Sequence, residues 1–467
     1  MQCTCCIFIP LKMKKINYIS IAFVFLIGFA SQAQTKAWTL EECVKYAVKN
    51  NISIKNTELD TLSASIDKKG AFGSFLPSAN LSASHSWNIG LNQDITTGLL
   101  RNQTTQQTGV GANVGVDVYK GMQNQNTMRR ANLSIVASKY KLLKMQEDIA
   151  LNVANAFLQV LFNKENLKVQ QEQLAINEKQ YKRSDELVKA GSIPRGDLLD
   201  VKATVATNKQ NVINAENALL ISKLSLAQLL QLKEFWDFDV IDDTNINDEN
   251  NIMSVKPIDI YAKAKESRTE LKIAKTNLEI AEKDVAIAKG AFQPTLTAFY
   301  GFNSRVSYAD TFNAQTGQTQ PADPPLEQLN DNKGQNFGLQ LNVPVFNGWS
   351  VRNNVDRNKV ALEKSKIALE KEDLDLQRNV YTAFTDAKGA MNAHESSIVA
   401  LESREEAYNY AKEKYAVGLM NSFDFNQSQT LLTNAQSEVI RTKYDYIFKI
   451  KILEFYFGIP IDQIMKK

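Results

Sequence analysis

The chain has 467 residues, of which 44% are hydrophobic, 22% charged and 9% aromatic, a composition that excludes a wholly disordered or collagen-like protein. Lys and Arg (54 residues) nearly balance Asp and Glu (51), and a net charge of +3 predicts no nucleic-acid partner. The chain has two histidines, His85 and His394, which leaves little room for His-based metal binding or acid–base catalysis. We therefore expect no enzyme, with no catalytic residue, metal site or cofactor.

An export signal is predicted at the start of the chain. Residues 19–30 form a short apolar run that follows three lysines and precedes small residues at the expected cleavage site, Ala33. We interpret residues 1–33 as a signal peptide, with Met13 as an alternative translation start. Cleavage would leave Cys43 as the single cysteine. Because no other stretch approaches about 18 consecutive apolar residues, we expect no transmembrane helix in the mature chain.

The chain contains two copies of one unit. The segment before Pro77 resembles the segment before Pro294, at an offset of 217 residues, and the segments around Gly191 and Gly418 match at an offset of 227. The difference between the offsets predicts an insertion in the second copy, which we assign to a long loop at 313–336. The predicted domains are a first repeat at 34–233, an Asp- and Asn-rich segment at 234–256, and a second repeat at 257–467.

Each repeat is predicted to consist of a helix, a strand pair, a very long helix, a turn and a further helix. No Pro or Gly occurs between residues 123 and 189, and apolar or small side chains recur there at alternating spacings of four and three, as in a coiled coil. A helix of about 65 residues is on the order of 100 Å long, which excludes a compact globule. The long helices are predicted at 123–190, 196–233, 350–417 and 422–457.

The strand pairs have one apolar face and one polar or glycine face. Apolar side chains alternate with polar residues and glycine, and the lengths match those of outer-membrane barrel strands. We expect the apolar face to contact lipid, with Trp87, Val114, Tyr300 and Leu341 pointing outward. The four strands are predicted at 78–91, 108–120, 295–308 and 335–346.

Four strands per chain cannot close a membrane barrel, because such barrels have at least about eight strands and lipid does not tolerate open edges. The sequence therefore predicts an oligomer. For any single strand, the alternative is a soluble antiparallel sheet packed on a core. The recurrence of strand pairs beside long helices, in an exported chain, favours the membrane interpretation.

These features together resemble the TolC family of outer-membrane efflux channels. The specific signals are the strand ends V-x-V-[YF]-x-G at 116–121 and 343–348, and the turns Y-x-x-G-x-x-x-x-x-D at 188–197 (where Val188 replaces Tyr) and 415–424. The resemblance implies a mainly α protein with membrane β structure, which forms a homotrimer with a 12-stranded outer-membrane β-barrel on a periplasmic α-helical barrel.

The function that the resemblance implies is that of an exit duct in a tripartite efflux pump or type I secretion system. The implied location is the outer membrane, with a large periplasmic domain. The implied partners are a periplasmic adaptor, an inner-membrane transporter of RND, ABC or MFS type, and outer-membrane lipid. The sequence does not identify the cargo, because drugs, metals and proteins all leave through this architecture.

The resemblance places the closed periplasmic tip of the channel at the two turns. Gly191 and Gly418 end the long helices there. In the family, a ring of carboxylates lines the constriction, and the matching residue here is Asp424. A second aspartate of the family is replaced by Gln427, which halves the expected charge of the ring.

The first copy retains an acidic pair at its turn, as Asp197 and Asp200. A family contact between the two coils implies that Tyr415 reaches Asp197 and holds the tip shut. The arginine that assists this contact in the family is Met420 here, and Arg195 is a candidate substitute. For the aspartates at the turns, the alternative role is helix capping.

The alternative to a membrane channel is a periplasmic coiled-coil adaptor or structural protein that is not inserted in the membrane. Adaptors share long helical hairpins, but they lack two copies of paired amphipathic strands flanked by helices. We also expect His85 to lie at the membrane interface and His394 to be a packed helix residue, not a metal ligand.

Overall fold

The computed structural model describes residues 37–93, 98–233, 236, 238–242, 252–313 and 316–459. The predicted signal peptide at 1–33 and much of the segment 234–256 lie outside the described residues. The helices are α1 (Leu40–Asn50), α2 (Ile52–Gly73), α3 (Gln123–Lys189), α4 (Arg195–Leu230), α5 (Pro257–Ser267), α6 (Thr269–Gly290), α7 (Pro325–Asp331), α8 (Ser350–Ala416) and α9 (Ser422–Tyr456). The strands are β1 (Ala37–Trp38), β2 (Ser78–Gln93), β3 (Leu100–Lys120), β4 (Asp239–Val240), β5 (Thr295–Ser307), β6 (Thr311–Asn313), β7 (Gln318–Gln320) and β8 (Gly334–Asn342).

The helices of the two repeats match in length. Both α2 and α6 have 22 residues, and both α3 and α8 have 67 residues. At ~1.5 Å per residue, α3 and α8 are each about 100 Å long. The helix predicted at 196–233 is shorter than expected, because Gln231 adopts a left-handed conformation with a φ of 60° and α4 ends at Leu230.

Two apolar cores lie against the middle parts of the long helices. In the first core, Val153 and Phe157 of α3 are fully buried together with Ala47 of α1. In the second core, Val380 of α8 is buried together with Ala264 of α5. Val153 and Val380 are 227 residues apart, so the sequence offset places equivalent side chains in the two cores. The short strands β1 and β4 pair in parallel beside the first core.

The large sheet is antiparallel, with the strand order β2, β3, β5, β8. Its strands depart from the predicted bounds by more than two residues at two ends. The strand predicted at 335–346 ends at Asn342, because Pro344 has no N–H to donate to a neighbouring strand. The strand predicted at 108–120 begins already at Leu100, because residues 100–107 continue to pair with β2.

The segment 313–336, predicted as a long loop, contains regular secondary structure. This segment contains β7, which pairs with β6, and the helix α7. The side chain of Gln328 on α7 replaces a paired strand at the open edge of β5: its Oε1 accepts a hydrogen bond from Ser307 N at 2.9 Å, and its Nε2 donates to Ser307 O at 3.0 Å. The insertion therefore covers the part of β5 that extends beyond β8.

Within the ranges that the structure describes, no helix combines the length and the apolar composition required to cross a bilayer.

Candidate functional site

The register of the large sheet brings the predicted lipid-facing residues to one face. Val114 lies opposite Tyr300 on one side and Ala79 on the other, and Leu341 lies opposite Leu296. Directly opposed residues share a face, and side chains alternate along each strand. Trp87, Val114, Tyr300 and Leu341 therefore lie on the same face, where the side chains of Trp87 and Leu341 are 60% and 64% exposed.

The opposite face of the sheet is polar. Asn80, Asn113, Gly301 and Asn336 are consecutive partners across its four strands, so polar side chains and a glycine form a continuous row. One side of the sheet can thus contact hydrocarbon while the other contacts water. Contact of these apolar side chains with lipid stays a prediction.

Aromatic side chains gather around His85 on β2. Its ring lies 4.2 Å from the Trp87 ring and 5.7 Å from the Tyr308 ring, measured between centroids. Its Nδ1 lies 2.8 Å from Thr108 Oγ1. Rings with a polar atom at one end favour the boundary between lipid and water, which agrees with the interfacial position expected for His85.

His394 is a half-buried residue of the α8–α9 contact, as its position on the helix seam predicts. Its Nδ1 lies 3.2 Å from Thr442 Oγ1. Burial lowers the pKa of His394, and the neighbouring positive charge of Lys443 lowers it further. The imidazole is therefore mostly neutral at pH 7.

The two turns at the far end of the long helices have the same backbone geometry. Gly191 and Gly418 follow α3 and α8 with φ angles of 74° and 78°, a left-handed conformation that glycine adopts without a steric penalty. The next residue of each turn closes a Schellman motif: Ser192 N donates to Leu187 O at 2.9 Å, and Leu419 N donates to Lys414 O at 2.9 Å. The paired glycines thus end both long helices by one mechanism.

The aspartates at the turns are not the N-cap residues. Asn421 caps α9: its side-chain oxygen accepts a hydrogen bond from Asp424 N at 2.8 Å, and its amide donates to Asp424 Oδ2 at 2.9 Å. Pro194 occupies the cap position of α4 and has no acceptor side chain, while Asp197 lies in the first helical turn. Neither Asp197 nor Asp424 therefore occupies the N-cap position that the capping alternative predicted.

The contact predicted between Tyr415 and Asp197 is not present. Within the described chain, Tyr415 stacks on the buried Phe425 with ring centroids 4.6 Å apart, and no hydrogen bond joins it to Asp197. Asp197 instead accepts a long hydrogen bond of 3.5 Å from Ser422 Oγ, which links the first turn to the start of α9. The two turns are connected, but through a different pair of side chains.

Asp424 and Gln427 are exposed on one side of α9, whereas Ser422 and Phe425 are buried on the other. The predicted ring residues are thus free to line a shared opening. Asp200 is also exposed, on α4. Arg195 is exposed and makes no ion pair in the part of the chain that the structure describes, so its role as a substitute for the family's arginine stays a prediction.

A polar cavity lies between α3, α4 and α9, and the sequence analysis did not predict it. It has a volume of about 380 Å³, and the side chains of Asn177 and Gln429 border it while they are 1% and 2% exposed. Their amide groups have no hydrogen-bond partner among the described residues. The sequence of α3 contains a pattern that could have indicated this polar cavity. Amide residues recur there at spacings of three and four, at Asn163, Asn166, Gln170, Gln173 and Asn177.

Comparison with known proteins identifies the family. The family described as "Outer membrane efflux protein" matches residues 44–231 and 260–451, which is most of both repeats. The chain belongs to this family. The predicted resemblance to TolC, the outer-membrane location and the function as an outer-membrane efflux channel are confirmed, as is the mainly helical fold with a small sheet.

Individual relatives are distant in sequence. The chain is 23% identical to "Outer membrane protein TolC" of Escherichia coli (strain K12), over 93% of this chain and 84% of that protein. It is 22% identical to the Vibrio cholerae protein of the same name, over 65% of this chain and 66% of that protein. It is 21% identical to "Cation efflux system protein CusC" of Escherichia coli O157:H7, over 79% of this chain and 75% of that protein.

Solved structures share the fold. The Campylobacter jejuni CmeC outer membrane channel superposes with a TM-score of 0.76 at 17% identity, over 97% of this chain and 93% of that one. A crystal structure of CusC superposes with a TM-score of 0.75 at 15% identity, over 91% and 92% of the two chains.

Proposed function

We propose that this chain is the exit duct of a tripartite efflux pump or type I secretion system and that it works as a homotrimer. Its partners would be a periplasmic adaptor and an inner-membrane transporter of RND, ABC or MFS type. The observation that supports this most directly is a sheet with one exposed apolar face and one polar face, joined to helices about 100 Å long. That combination suits a passage through lipid that continues across a periplasm.

The trimer would close the sheet. Among the strands that the structure describes, β2 and β8 lie at the two edges of this sheet, so each has one row of backbone groups without a strand partner. Unpaired N–H and C=O groups in hydrocarbon cost several kcal/mol each, so lipid insertion requires β8 of one chain to pair with β2 of the next. Three chains then supply a barrel of twelve strands, with the polar row around the lumen.

The alternative of a periplasmic adaptor or structural protein would leave the apolar sheet face in water. Phe337 is 83% exposed and lies on this face beside Tyr300. Membrane fractionation followed by planar-bilayer recording separates the two functions. A channel is recovered in the outer-membrane fraction and gives conductance steps, whereas a soluble protein without conductance would refute the proposal.

The repeat boundaries fit this function. The strand pairs would lie in the membrane, the long helices would form the periplasmic tunnel, and the segment 234–256 would belong to a belt around its middle. The parallel pairing of β4 with β1, beside the first core, supports this position for the part of the segment around Asp239.

Asp424→Asn should weaken the preference of the channel for cations. Three Asp424 carboxylates around one axis, about 8 Å apart in an effective dielectric of about 20, repel by roughly 2 kcal/mol per pair, and a bound cation relieves that repulsion. The measurement is the reversal potential in a salt gradient, together with block by a trivalent cation. Asp356→Asn, near the opposite end of α8, is the control. Unchanged selectivity in Asp424→Asn would contradict the ring.

Tyr415→Phe should leave the single-channel conductance unchanged. The phenylalanine keeps the stack on Phe425, and the lost hydroxyl makes no hydrogen bond to Asp197. Tyr415→Ala removes the ring from this stack and should raise the conductance, because α8 and α9 lose an aromatic contact at the tip. Planar-bilayer recordings compare the two variants. A conductance increase in Tyr415→Phe would show that the hydroxyl closes the tip after all.

A further inference from the structure

A pocket of about 500 Å³ lies beside the first core, between α1, the middle of α3, the end of α5 and residues 458–459. Its wall is mostly apolar: Val44 and Ala150 are 7% and 2% exposed, and Leu143, which also lines it, is 41% exposed. Residues 143–150 are at least 20 residues from either end of α3, a distance of about 30 Å or more. The pocket is therefore separate from both the large sheet and the two turns.

Two charged side chains border the pocket, Arg268 and Glu147, and they are only 5% and 19% exposed. Arg268 is engaged mainly by Glu270. Its Nη2 donates to the two carboxylate oxygens of Glu270 at 2.9 and 3.0 Å, and its Nε donates to one of them at 3.2 Å. Glu147 receives one hydrogen bond from Arg268, at 3.2 Å. One guanidinium thus serves two carboxylates, and Glu147 has the smaller share of it.

Glu147 has hydrogen-bonding capacity left. Its other donor is Thr269 Oγ1, which lies 3.2 Å from Oε1. Within the described ranges no further hydrogen bond to this carboxylate occurs, whereas a carboxylate has about four acceptor positions. Burial raises the pKa of Glu147 although the charge of Arg268 opposes the shift, so its negative charge is only partly compensated.

The other charges nearby do not neutralise Glu147. Lys144 pairs with Asp148 at 2.7 Å and lies 3.9 Å from Glu270. The two cations Lys144 and Arg268 therefore face the three carboxylates of Glu147, Asp148 and Glu270. This group has one negative charge in excess, and Glu147 is its member at the pocket.

We propose that this pocket binds a small lipophilic ammonium ion, whose N–H groups donate to Glu147 while its apolar body packs against Val44 and Ala150. A cation offsets the excess negative charge at a site where burial strengthens the pairing, whereas an anionic ligand would be repelled by Glu147 and Glu270. The apolar body gains by leaving water for the apolar wall. Binding requires a folded chain and no transport, so this site is independent of the proposed duct.

Three probes with the same adamantane body test the charge preference: 1-adamantylammonium, 1-adamantanol and adamantane-1-carboxylate. Isothermal titration calorimetry of the full chain in phosphatidylcholine nanodiscs, with protein-free nanodiscs as the blank, gives each affinity. The ammonium ion should bind at least about tenfold more tightly than the alcohol, because a hydrogen bond between two charged groups adds to the shared apolar contribution, and the carboxylate should not bind. Equal affinities for the three probes, or no binding of the ammonium ion, would overturn the proposal.

Glu147→Gln should weaken binding of the ammonium ion at least about tenfold and affect the alcohol less. The amide keeps the size of the side chain, and Arg268 keeps its three hydrogen bonds to Glu270, so the fold should be retained. Glu41→Gln is the matched control, because Glu41 also lines the pocket but is already paired with Lys45. This control should change the affinity less than about threefold. Equal losses in the two variants would show that Glu147 is not the partner of the ligand.

Val48→Trp tests the location independently of charge. Val48 lines the pocket, and a tryptophan there should fill it and abolish binding of all the probes. Thermal unfolding of each variant shows whether the fold is retained. Binding that persists in folded Val48→Trp would place the ligand elsewhere and overturn the proposal.

Two further results would assign the pocket to another occupant and would also overturn the proposal. Binding that appears only after truncation behind Ile459 would mean that residues 460–467 of this chain fill the pocket. Binding by a monomer in detergent but not by an assembled oligomer would mean that a second copy of the chain covers it.

Discussion

Arg268→Met should lower the free energy of unfolding by about 3 to 5 kcal/mol at pH 7, because it leaves Glu147 without its cation and Glu270 with only Lys144, at 3.9 Å. The Arg268 side chain is 5% exposed, and its Nη2 lies 3.2 Å from Glu147 Oε2 and 2.9 Å from Glu270 Oε1. Its guanidinium carbon also lies 3.8 Å from the centre of the Phe455 ring. Methionine retains the packing on that ring but not the charge. Urea unfolding in detergent, followed by circular dichroism, measures the loss.

The effect of Arg268→Met should shrink as the pH falls. Burial opposes ionisation of Glu270, but the hydrogen bonds and charge of Arg268 outweigh it and hold the pKa of Glu270 below its usual value. In the parent this group stabilises the fold above the unfolded-state pKa, and that contribution is lost as pH falls through the lower folded-state pKa. Burial raises the pKa of Glu147 even beside Arg268.

Without Arg268, burial should hold the pKa of Glu147 further above its usual value, and the pKa of Glu270 should rise because Lys144 and a backbone hydrogen bond alone then favour its charged form. The variant therefore regains stability as protons bind between pH 7 and about 4. Arg441→Met is the control, because Arg441 is an exposed residue whose ion pair with Glu438 is worth at most about 1 kcal/mol. A loss for Arg268→Met no larger than for Arg441→Met would show that the buried pair does not stabilise this fold.

The long helices could be predicted from the sequence because the residues that extend and end them are close together along the chain. The run without Pro or Gly from residue 123 to 189 allows α3 to continue uninterrupted, and Gly191 supplies the left-handed residue that ends it. The strand faces could be predicted for the same reason. Alternation of apolar and polar residues assigns Val114 and Tyr300 to the apolar face of their strands, whatever the strand order.

Features that depend on tertiary contacts were not predictable. Residues 100–107 are mostly polar on both faces, so alternation gives no sign that β3 continues through them. Tyr415 can reach several partners from α8, and the choice of Phe425 over Asp197 depends on how α8 and α9 pack. The helix α7 is short and forms against β5, where Gln328 replaces strand pairing. In each case a distant neighbour decides the local structure.

Val114→Arg should cost roughly 2 to 4 kcal/mol if Val114 faces lipid near the bilayer midplane, and should prevent stable insertion. The charge would lie between Ala79 and Tyr300 on the apolar face of the sheet, with no acidic residue directly opposite in either neighbouring strand. Asn113→Arg is a closely matched control, because it adds the same side chain one residue away on the polar face. The measurement is the amount of trimer in the outer-membrane fraction relative to total protein.

The pair of variants tests the orientation of the sheet, since both add the same charge to the same strand. If the polar face lines the lumen, Asn113→Arg assembles close to the parent level and shifts ion selectivity toward anions, while Val114→Arg fails to accumulate in the membrane. Equal assembly of the two variants would mean that the apolar face does not contact hydrocarbon. A defect confined to Asn113→Arg would mean that the faces are reversed, with Val114 and Tyr300 inside the barrel and the row from Asn80 to Asn336 outside it.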